Sequence, residues 1–178
     1  MPTYLNHDTL LLRACEPEDL DFMYEVENDS SLWEVGSTSV PYSRYALRQY
    51  LASTRNDFFA DGQVRLVAVR KPTMEPVGMA DLFDFDPLHN RASVGIMMHR
   101  DARRKGYAAT ALVLLEQYAF RHLHLHQLCA FIPAGNEASL RLFAACGFAQ
   151  TAVLKEWIRN EHGRYHDTVL VQKINKED

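Results

Sequence analysis

Residues 91–120 contain a strand, a basic loop and a helix in direct succession, and they read RASVGIMMHRDARRKGYAATALVLLEQYAF. The segment 92–99 is short and rich in apolar and β-branched residues, which indicates a buried strand. From Ala108 to Phe120 nearly every residue is a helix former, with apolar side chains at the spacing of one helical face. The pattern therefore predicts a strand that leads through a basic loop into a long helix.

The basic loop, Arg103-Arg104-Lys105-Gly106-Tyr107-Ala108, has the features of a phosphate site. Free backbone N–H groups and the positive end of the helix dipole converge where a helix begins, and both favour an anion. Gly106 lets the backbone approach a ligand closely because it has no Cβ, and Ala108 keeps the next turn slim. A pyrophosphate is the predicted ligand, with a solvated basic turn as the alternative. The glycine patterns of P-loops and dinucleotide folds are absent.

The composition is that of an ordinary globular protein, with 47% apolar and 24% charged residues in a chain of 178. This length predicts a single domain over residues 1–178 with a sizeable core. A net charge of −4 argues against nucleic-acid binding and is compatible with a cationic substrate. No apolar run approaches the ~20 residues of a membrane span, and the three cysteines have no C-x-x-C spacing. We expect a cytoplasmic protein that does not bind membranes.

Alternation and helical spacing predict the remaining elements. The expected strands are 9–14, 63–70, 77–85, 127–132 and two more around the turn at 162–163, and the expected helices are 17–28, 44–54 and 136–146. The segment 30–42 is expected to be irregular, and Trp33 and Glu34 within it border a substrate mouth or pack on the surface. Strand 127–132 is expected to run parallel to strand 92–99, because a helix crosses between them.

The helix over 136–146 carries a second group of informative residues. Asn136 is a good N-cap, and Gly147 suits the left-handed position after the helix, where Phe148 can pack back on the last turn. Two parallel strands would thus each lead into a helix at the same end of the sheet. If these strands splay, an extended ligand can insert between them with its pyrophosphate on the first helix.

Together these two segments resemble the GNAT superfamily of acyl-CoA-dependent N-acetyltransferases. Residues 103–108 match the family's [QR]-x-x-G-x-[GA] coenzyme A loop, and Asn136, Ser139, Gly147 and Phe148 match its N-x-x-S-x(7)-G-F helix. The resemblance covers nearly the whole chain and is greatest to the branch of ribosomal-protein N-terminal and spermidine acetyltransferases. It implies a mixed α/β (α+β) fold, with flanking helices on a twisted, mostly antiparallel sheet of about seven strands. Strands 92–99 and 127–132 would form its splayed parallel pair.

The resemblance also implies a function and a coenzyme site. An acetyl group would pass directly from acetyl-CoA to a primary amine, which is a protein N-terminus, a polyamine or another small amine, without a metal. The alternative is a non-catalytic acyl-CoA-binding regulatory module, and a homo-oligomer remains open. The implied coenzyme contacts are Ile96, Met97, Met98, Arg103, Arg104, Lys105, Gly106, Tyr107, Ala108, Thr110, Asn136, Ser139 and Phe143.

The catalytic residues depart from the family pattern. Phe143 stands where many relatives have a tyrosine that protonates the thiolate, and Ser93 stands where they have a glutamate. Ser139 is the candidate to assist the thiolate, and Asp81 is the candidate base or ammonium binder. Asp84 lies three residues after Asp81, so the two would lie on opposite strand faces unless a bulge intervenes. The predicted acceptor contacts are Trp33, Glu34, Asp81 and Asp84.

Three histidines, His122, His124 and His126, alternate near the end of the long helix. On a strand they would share one face, as metal ligands require. No carboxylate or cysteine joins them, so no metal site is predicted.

Overall fold

A computed structural model describes residues 3–33, 40–55, 57–160 and 162–176. The strands in these residues are β1 (Leu10–Ala14), β2 (Val64–Arg70), β3 (Glu75–Asp86), β4 (Arg91–Met98), β5 (Gln127–Pro133), β6 (Ala149–Arg159) and β7 (Tyr165–Ile174). The α-helices are α1 (Leu20–Glu27), α2 (Ser30–Trp33), α3 (Arg44–Ser53), α4 (Phe58–Asp61), α5 (Tyr107–Gln117) and α6 (Glu137–Ala145). No helix in the described part of the chain is long and apolar enough to cross a membrane.

The described strands form one mixed sheet in the order β1-β2-β3-β4-β5-β7-β6. Strands β1 to β4 are antiparallel neighbours in sequence, which confirms the prediction of a mostly antiparallel sheet. Alternate side chains of these strands pack on the two faces of the sheet, as the two-residue period of a strand requires. Leu66, Ala80 and Leu82 face α5, whereas Met79 on β3 packs against α1 and α3.

The predicted parallel pair is present, and it is short. Strand β4 pairs with β5 only from Arg91 to Ser93, which lies opposite Cys129. Beyond this point the two strands no longer pair, so the predicted splay is confirmed. Exposure changes at the same place, because residues 92–94 are buried whereas residues 95–97 are half-buried.

Helix α5 covers the sheet and leads from β4 to β5. Its buried leucines, Leu112 and Leu115, lie in the larger core, as the apolar spacing predicted. The helix was predicted to continue to Phe120, but α5 ends at Gln117 and a π-helical turn covers Tyr118–His122. In that turn the Leu123 N–H bonds to the Tyr118 carbonyl five residues earlier, 3.1 Å away, and the Tyr118 and His122 rings stack 5.3 Å apart.

Helices α1 and α3 cover the opposite face of the sheet. The chain enters α1 through a 3-10 turn at Pro17–Asp19, where proline and two acidic residues suit a helix start. The prediction of irregular structure over 30–42 was wrong for Ser30–Trp33, which is α2. This short helix is stabilised by a local cap, because a carboxylate oxygen of Asp29 accepts from the Ser31 N–H at 3.0 Å.

Candidate active site

The gap between β4 and β5 exposes backbone groups of β4. In an antiparallel pair, successive residues point their N–H and C=O groups alternately toward and away from the partner strand. The His99 N–H bonds to the Val77 carbonyl of β3 at 2.9 Å, and Met97 is paired with Met79 two residues earlier. By this alternation, the N–H groups of Ile96 and Met98 point into the gap. The backbone groups of Met97, which was also predicted to contact the coenzyme, point to β3 and not into the gap.

The start of α5 lies directly after this part of β4 and has no side-chain cap. Gly106 is its N-cap residue with a φ of 83°, and among the described residues no side chain caps the first N–H groups of the helix. By contrast, Ser43, Asp57 and Asn136 cap α3, α4 and α6 with side-chain oxygens. The uncapped N–H groups and the helix dipole give α5 the properties of an anion site.

The residues of the basic loop have different surroundings. Arg104 and Lys105 are exposed, and Arg104 has a φ of 62°. Tyr107 and Ala108 form the first turn of α5, and the Thr110 hydroxyl lies 3.4 Å from the Gly106 carbonyl oxygen. Arg103 turns away from this turn, because its Nη2 donates to Asp29 Oδ2 at 2.9 Å and its Nε to the Met98 carbonyl at 3.0 Å.

Helix α6 begins on the other side of the gap, after β5. The Asn136 Oδ1 atom accepts from the Ser139 N–H at 3.1 Å, so the predicted N-cap is formed. The Ser139 hydroxyl has no partner within the described residues, and the residue is half-buried. Phe143 is only 4% exposed and packs edge-on against Phe148, with ring centroids 5.0 Å apart. Its ring therefore belongs to the core beneath the helix.

Asp81 belongs to a buried network of three charges. Arg65 donates from Nε and Nη2 to the two oxygens of Asp81, at 2.9 and 2.7 Å, and from Nη1 to Glu27 Oε1. Burial alone would lower the pKa of Arg65, but the two carboxylates outweigh that effect and raise it. Two carboxylates share one guanidinium, so the network carries a formal charge of −1. Glu27 and Arg65 were missed from the sequence, because their positions have no local signal.

Gly95 has no side chain beside Asp81. A Cβ built on Gly95 would lie 3.7 Å from the Asp81 Cβ and 3.4 Å from a ring carbon of Phe83, which are ordinary contact distances. At Gly78 on β3, a Cβ would lie only 2.4 Å from the Met97 carbonyl oxygen, so packing requires glycine there. Packing does not require glycine at position 95, which is a half-buried strand position next to the gap.

Within the described residues, the other predicted acceptor contacts do not lie in this network. Asp84 is exposed with a φ of 51°, at a register shift between Phe83 and Asp86. The bulge considered from the sequence thus exists, and it lies at Asp84 itself. Trp33 ends α2, but its side chain and all of Glu34 lie outside the described residues.

The three histidines do not share a strand face. His122 lies in the π-helical turn, where its Nδ1 is 2.9 Å from the Tyr4 hydroxyl. His124 and His126 lie in the loop before β5. Among the described residues, no three His, Cys, Asp or Glu side chains are grouped so that they could hold one metal ion.

Curated relatives of this chain are acetyltransferases. A spermidine N(1)-acetyltransferase of Vibrio cholerae serotype O1 is 26% identical over 159 residues, which cover 89% of this chain and 88% of the relative. A putative ribosomal N-acetyltransferase of Bacillus subtilis, YdaF, is 26% identical over 188 aligned positions, which cover 96% and 94% of the two chains.

Solved structures share the fold. A spermidine N-acetyltransferase from Vibrio cholerae in complex with CoA and spermine superposes with a TM-score of 0.84 at 24% identity, covering 94% of this chain and 96% of the other. A dodecameric structure of spermidine N-acetyltransferase from the same organism has a TM-score of 0.78 at 25% identity and covers 94% and 95%.

A family profile, the acetyltransferase (GNAT) domain, matches residues 9–149. The match contains the separating strands β4 and β5, the uncapped start of α5 and the capped start of α6. The chain therefore belongs to the GNAT family and is an N-acetyltransferase that uses acetyl-CoA.

Proposed function

We propose that the acceptor is a primary amine of a polyamine such as spermidine. The carrying observation is the Glu27–Arg65–Asp81 network, in which Asp81 binds Arg65 in the strand pair next to the gap. A carboxylate that is only partly buried attracts an ammonium group and disfavours an anionic acceptor. The relatives named for spermidine support the same class. A protein N-terminus is the second candidate, supported by the ribosomal relative.

The coenzyme would bind in three parts. The pyrophosphate would accept from the uncapped N–H groups of residues 106–109 at the start of α5, next to Arg104 and Lys105. The pantetheine arm would enter the gap between β4 and β5 and pair with backbone groups of Ile96. Asn136 and Ser139, at the start of α6, would lie on the opposite side of the arm. Phe143 would support this turn from the core rather than contact the coenzyme.

The reaction needs three proton and charge adjustments. A neutral amine attacks the thioester carbonyl, so an ammonium proton leaves first. The carbonyl oxygen becomes an oxyanion, and we assign its stabilisation to the Met98 N–H, which points into the gap. The thiolate of coenzyme A then leaves, and the unpaired Ser139 hydroxyl is the candidate donor to it, directly or through water.

Asp81 is better suited to bind the ammonium group than to remove its proton. Both of its oxygens accept from Arg65, and each oxygen retains a further lone pair for a cation. Because Gly95 has no side chain, the amine could approach the Asp81 carboxylate across β4. The proton can then pass to water at the half-buried surface.

The first test is release of free thiol from acetyl-CoA, with spermidine and a short peptide with a free N-terminus as parallel acceptors. Release with spermidine and none with the peptide supports the proposal. The reverse result assigns the peptide N-terminus instead. Coenzyme A binding without turnover on either acceptor would contradict both candidates.

Two substitutions test the site itself. Gly95→Ala fills the space beside Asp81 without a clash, so we expect a raised KM for the amine and unchanged coenzyme A affinity. Ser139→Ala is expected to lower kcat with little change in either KM. If Gly95→Ala leaves the amine KM unchanged, the acceptor does not pass Asp81.

Self-association is a further part of the proposal. Strand β6 is an edge of the sheet within the described residues, and its Val153 and Trp157 side chains are 51% and 60% exposed. An edge strand with exposed apolar side chains suits a second copy of the chain. We expect a homo-oligomer in analytical ultracentrifugation, and a monomer would contradict this. The cytoplasmic location and the absence of nucleic-acid binding stay predictions.

A further inference from the structure

We infer that Arg103 is a positioning residue that couples the coenzyme A loop to the acceptor side of the protein through Asp29. This inference rests on the proposed function, because it assigns the acceptor to the side that carries α1 and α2. The sequence favoured a different role, in which the Arg103 charge faces the pyrophosphate. The contacts of the guanidinium group decide between the two roles.

Three separate parts of the fold meet at the Arg103 side chain. Its Nε donates to the carbonyl of Met98 at the end of β4, 3.0 Å away. Its Nη2 donates to Asp29 Oδ2 at 2.9 Å, between α1 and α2, and its Nη1 to the Ser31 hydroxyl oxygen at 3.1 Å. All three nitrogens of the guanidinium therefore have an acceptor within the protein.

Asp29 is itself fixed and charged. It is 8% exposed, and its Oδ1 accepts from both the hydroxyl and the N–H of Ser31, at 2.7 and 3.0 Å. These bonds, with the charges of Arg103 and Arg100, hold the pKa of the Asp29 carboxyl below its usual range in spite of burial. A buried carboxylate that is held by Ser31 keeps the Arg103 guanidinium in place, so this group is not free to turn toward a phosphate.

The contact with Met98 affects the coenzyme groove directly. By the alternation of β4, the Met98 carbonyl also points to the side of the gap. Without Arg103 it would be a free acceptor for an N–H group of the pantetheine arm. Because Arg103 occupies this carbonyl, the end of the gap presents the Met98 N–H as its donor. The Arg103 side chain thus contacts the end of β4, the first residue of the coenzyme A loop carries it, and its other end holds Asp29 and Ser31 at the start of α2.

The two roles predict opposite results for Asp29→Asn. If Arg103 only supplies charge, removing the Asp29 charge frees the guanidinium, and coenzyme A should bind equally or more tightly. If Arg103 positions the loop, the substitution loosens it, and coenzyme A should bind about tenfold more weakly. The measurement is isothermal titration with coenzyme A alone, together with the KM for spermidine, which we expect to rise in the same variant.

A double-mutant cycle removes the remaining ambiguity. We expect Arg103→Gln and Asp29→Asn each to weaken coenzyme A binding about tenfold, and the double variant to be no weaker than either. Arg103→Lys keeps the charge but not the planar set of donors, so it should behave like Arg103→Gln. Near-wild-type affinity of Arg103→Lys would overturn the inference, as would additive losses.

A second arginine–aspartate pair serves as the control. Arg91 Nη2 lies 3.0 Å from Asp86 Oδ2 at the far end of β4, and both side chains are partly exposed. Arg91→Gln should leave coenzyme A affinity unchanged, and thermal unfolding shows whether each variant is folded. A wild-type protein that does not bind coenzyme A would overturn the proposed function together with this inference. Wild-type binding with an unaffected Asp29→Asn variant would overturn the inference alone.

Discussion

The two sides of the site are built from different kinds of interaction. On the coenzyme side, which we define as β4, β5, α5 and α6, the groups that we propose as ligand contacts are backbone N–H groups at a strand edge and a helix start. On the acceptor side, defined as β1 to β3 with α1 to α3, they are side-chain ion pairs. The Arg65 pairs there join residues 16 and 38 positions apart.

This difference has a physical reason. A coenzyme with a fixed pyrophosphate can be held by backbone groups, which require only a turn of the right shape. An amine is a cation, so it needs carboxylates, and carboxylates in a half-buried site need a partner when the amine is absent. On the acceptor side this partner is the Arg65 guanidinium, and we infer that Arg103 with Asp29 joins the two sides.

The most severe test of this contrast is Arg65→Met, which removes the shared partner of two carboxylates. Glu27 and Asp81 are 7% and 13% exposed, so we expect a loss of about 3–5 kcal/mol in the free energy of unfolding. Urea denaturation measures it. Arg91→Met, in an exposed pair, should cost at most about 1 kcal/mol. Equal losses for the two variants would show that the network is no more important than a surface pair.

The Arg13–Asp19 pair gives the acceptor side a defined dependence on pH. Burial alone would raise the Asp19 pKa, but hydrogen bonds from Arg13 and from the Glu16 N–H outweigh it and lower the pKa. A carboxyl with a lowered folded pKa contributes stability above its unfolded pKa of about 4, and that contribution disappears as pH falls further.

We therefore expect Asp19→Asn to cost about 1.5–3 kcal/mol of unfolding free energy at pH 7. The difference from wild type should shrink below about pH 4, where the wild-type carboxyl becomes protonated. Glu137→Gln, in the exposed pair with Arg141, is the matched control and should be nearly neutral at both pH values. A difference that is constant with pH would contradict the assigned ion pair.

On the coenzyme side, Gly106→Ala separates backbone strain from ligand binding. Gly106 and Gly62 both have positive φ values, 83° and 67°, and a Cβ on either would meet nothing within 4 Å. Each alanine variant should lose about 1–2 kcal/mol of stability from backbone strain alone. Only Gly106→Ala should also weaken coenzyme A binding, because its Cβ would stand where the pyrophosphate approaches. Equal coenzyme A affinity in the two variants would show that the start of α5 does not bind the coenzyme.

The smallest effect concerns the thiol of Cys15. Burial raises its pKa to about 11, and its Sγ lies 3.6 Å from the Arg65 carbonyl oxygen. Because the thiolate is the reactive form, alkylation at pH 8 should be at least about tenfold slower in the native protein than in urea. Peptide mapping by mass spectrometry identifies the site, and fast native labelling would show that this part of the acceptor side is open.

The sequence predicted the coenzyme side well and the acceptor side only in part. The basic loop, the Asn136 cap and the parallel strands are local patterns or follow from chain order, so they were visible before the structure. Glu27 and Arg65 were not found, because nothing near either residue marks it. Asp81 was chosen from the sequence, but its binding to Arg65 was not foreseen.

Some positions needed the three-dimensional structure for a physical reason. Arg103 matches a coenzyme loop by pattern, yet its guanidinium contacts Asp29, 74 residues away, which no local pattern encodes. The distinction between Gly95 and Gly78 likewise depends on atoms of neighbouring strands. Neighbouring residues set the backbone conformation, so the order of elements and the helix start where we propose the pyrophosphate could be predicted from the sequence. Ion pairs depend on packing between distant segments, so the charges that pair across the sheet could be identified only from the fold.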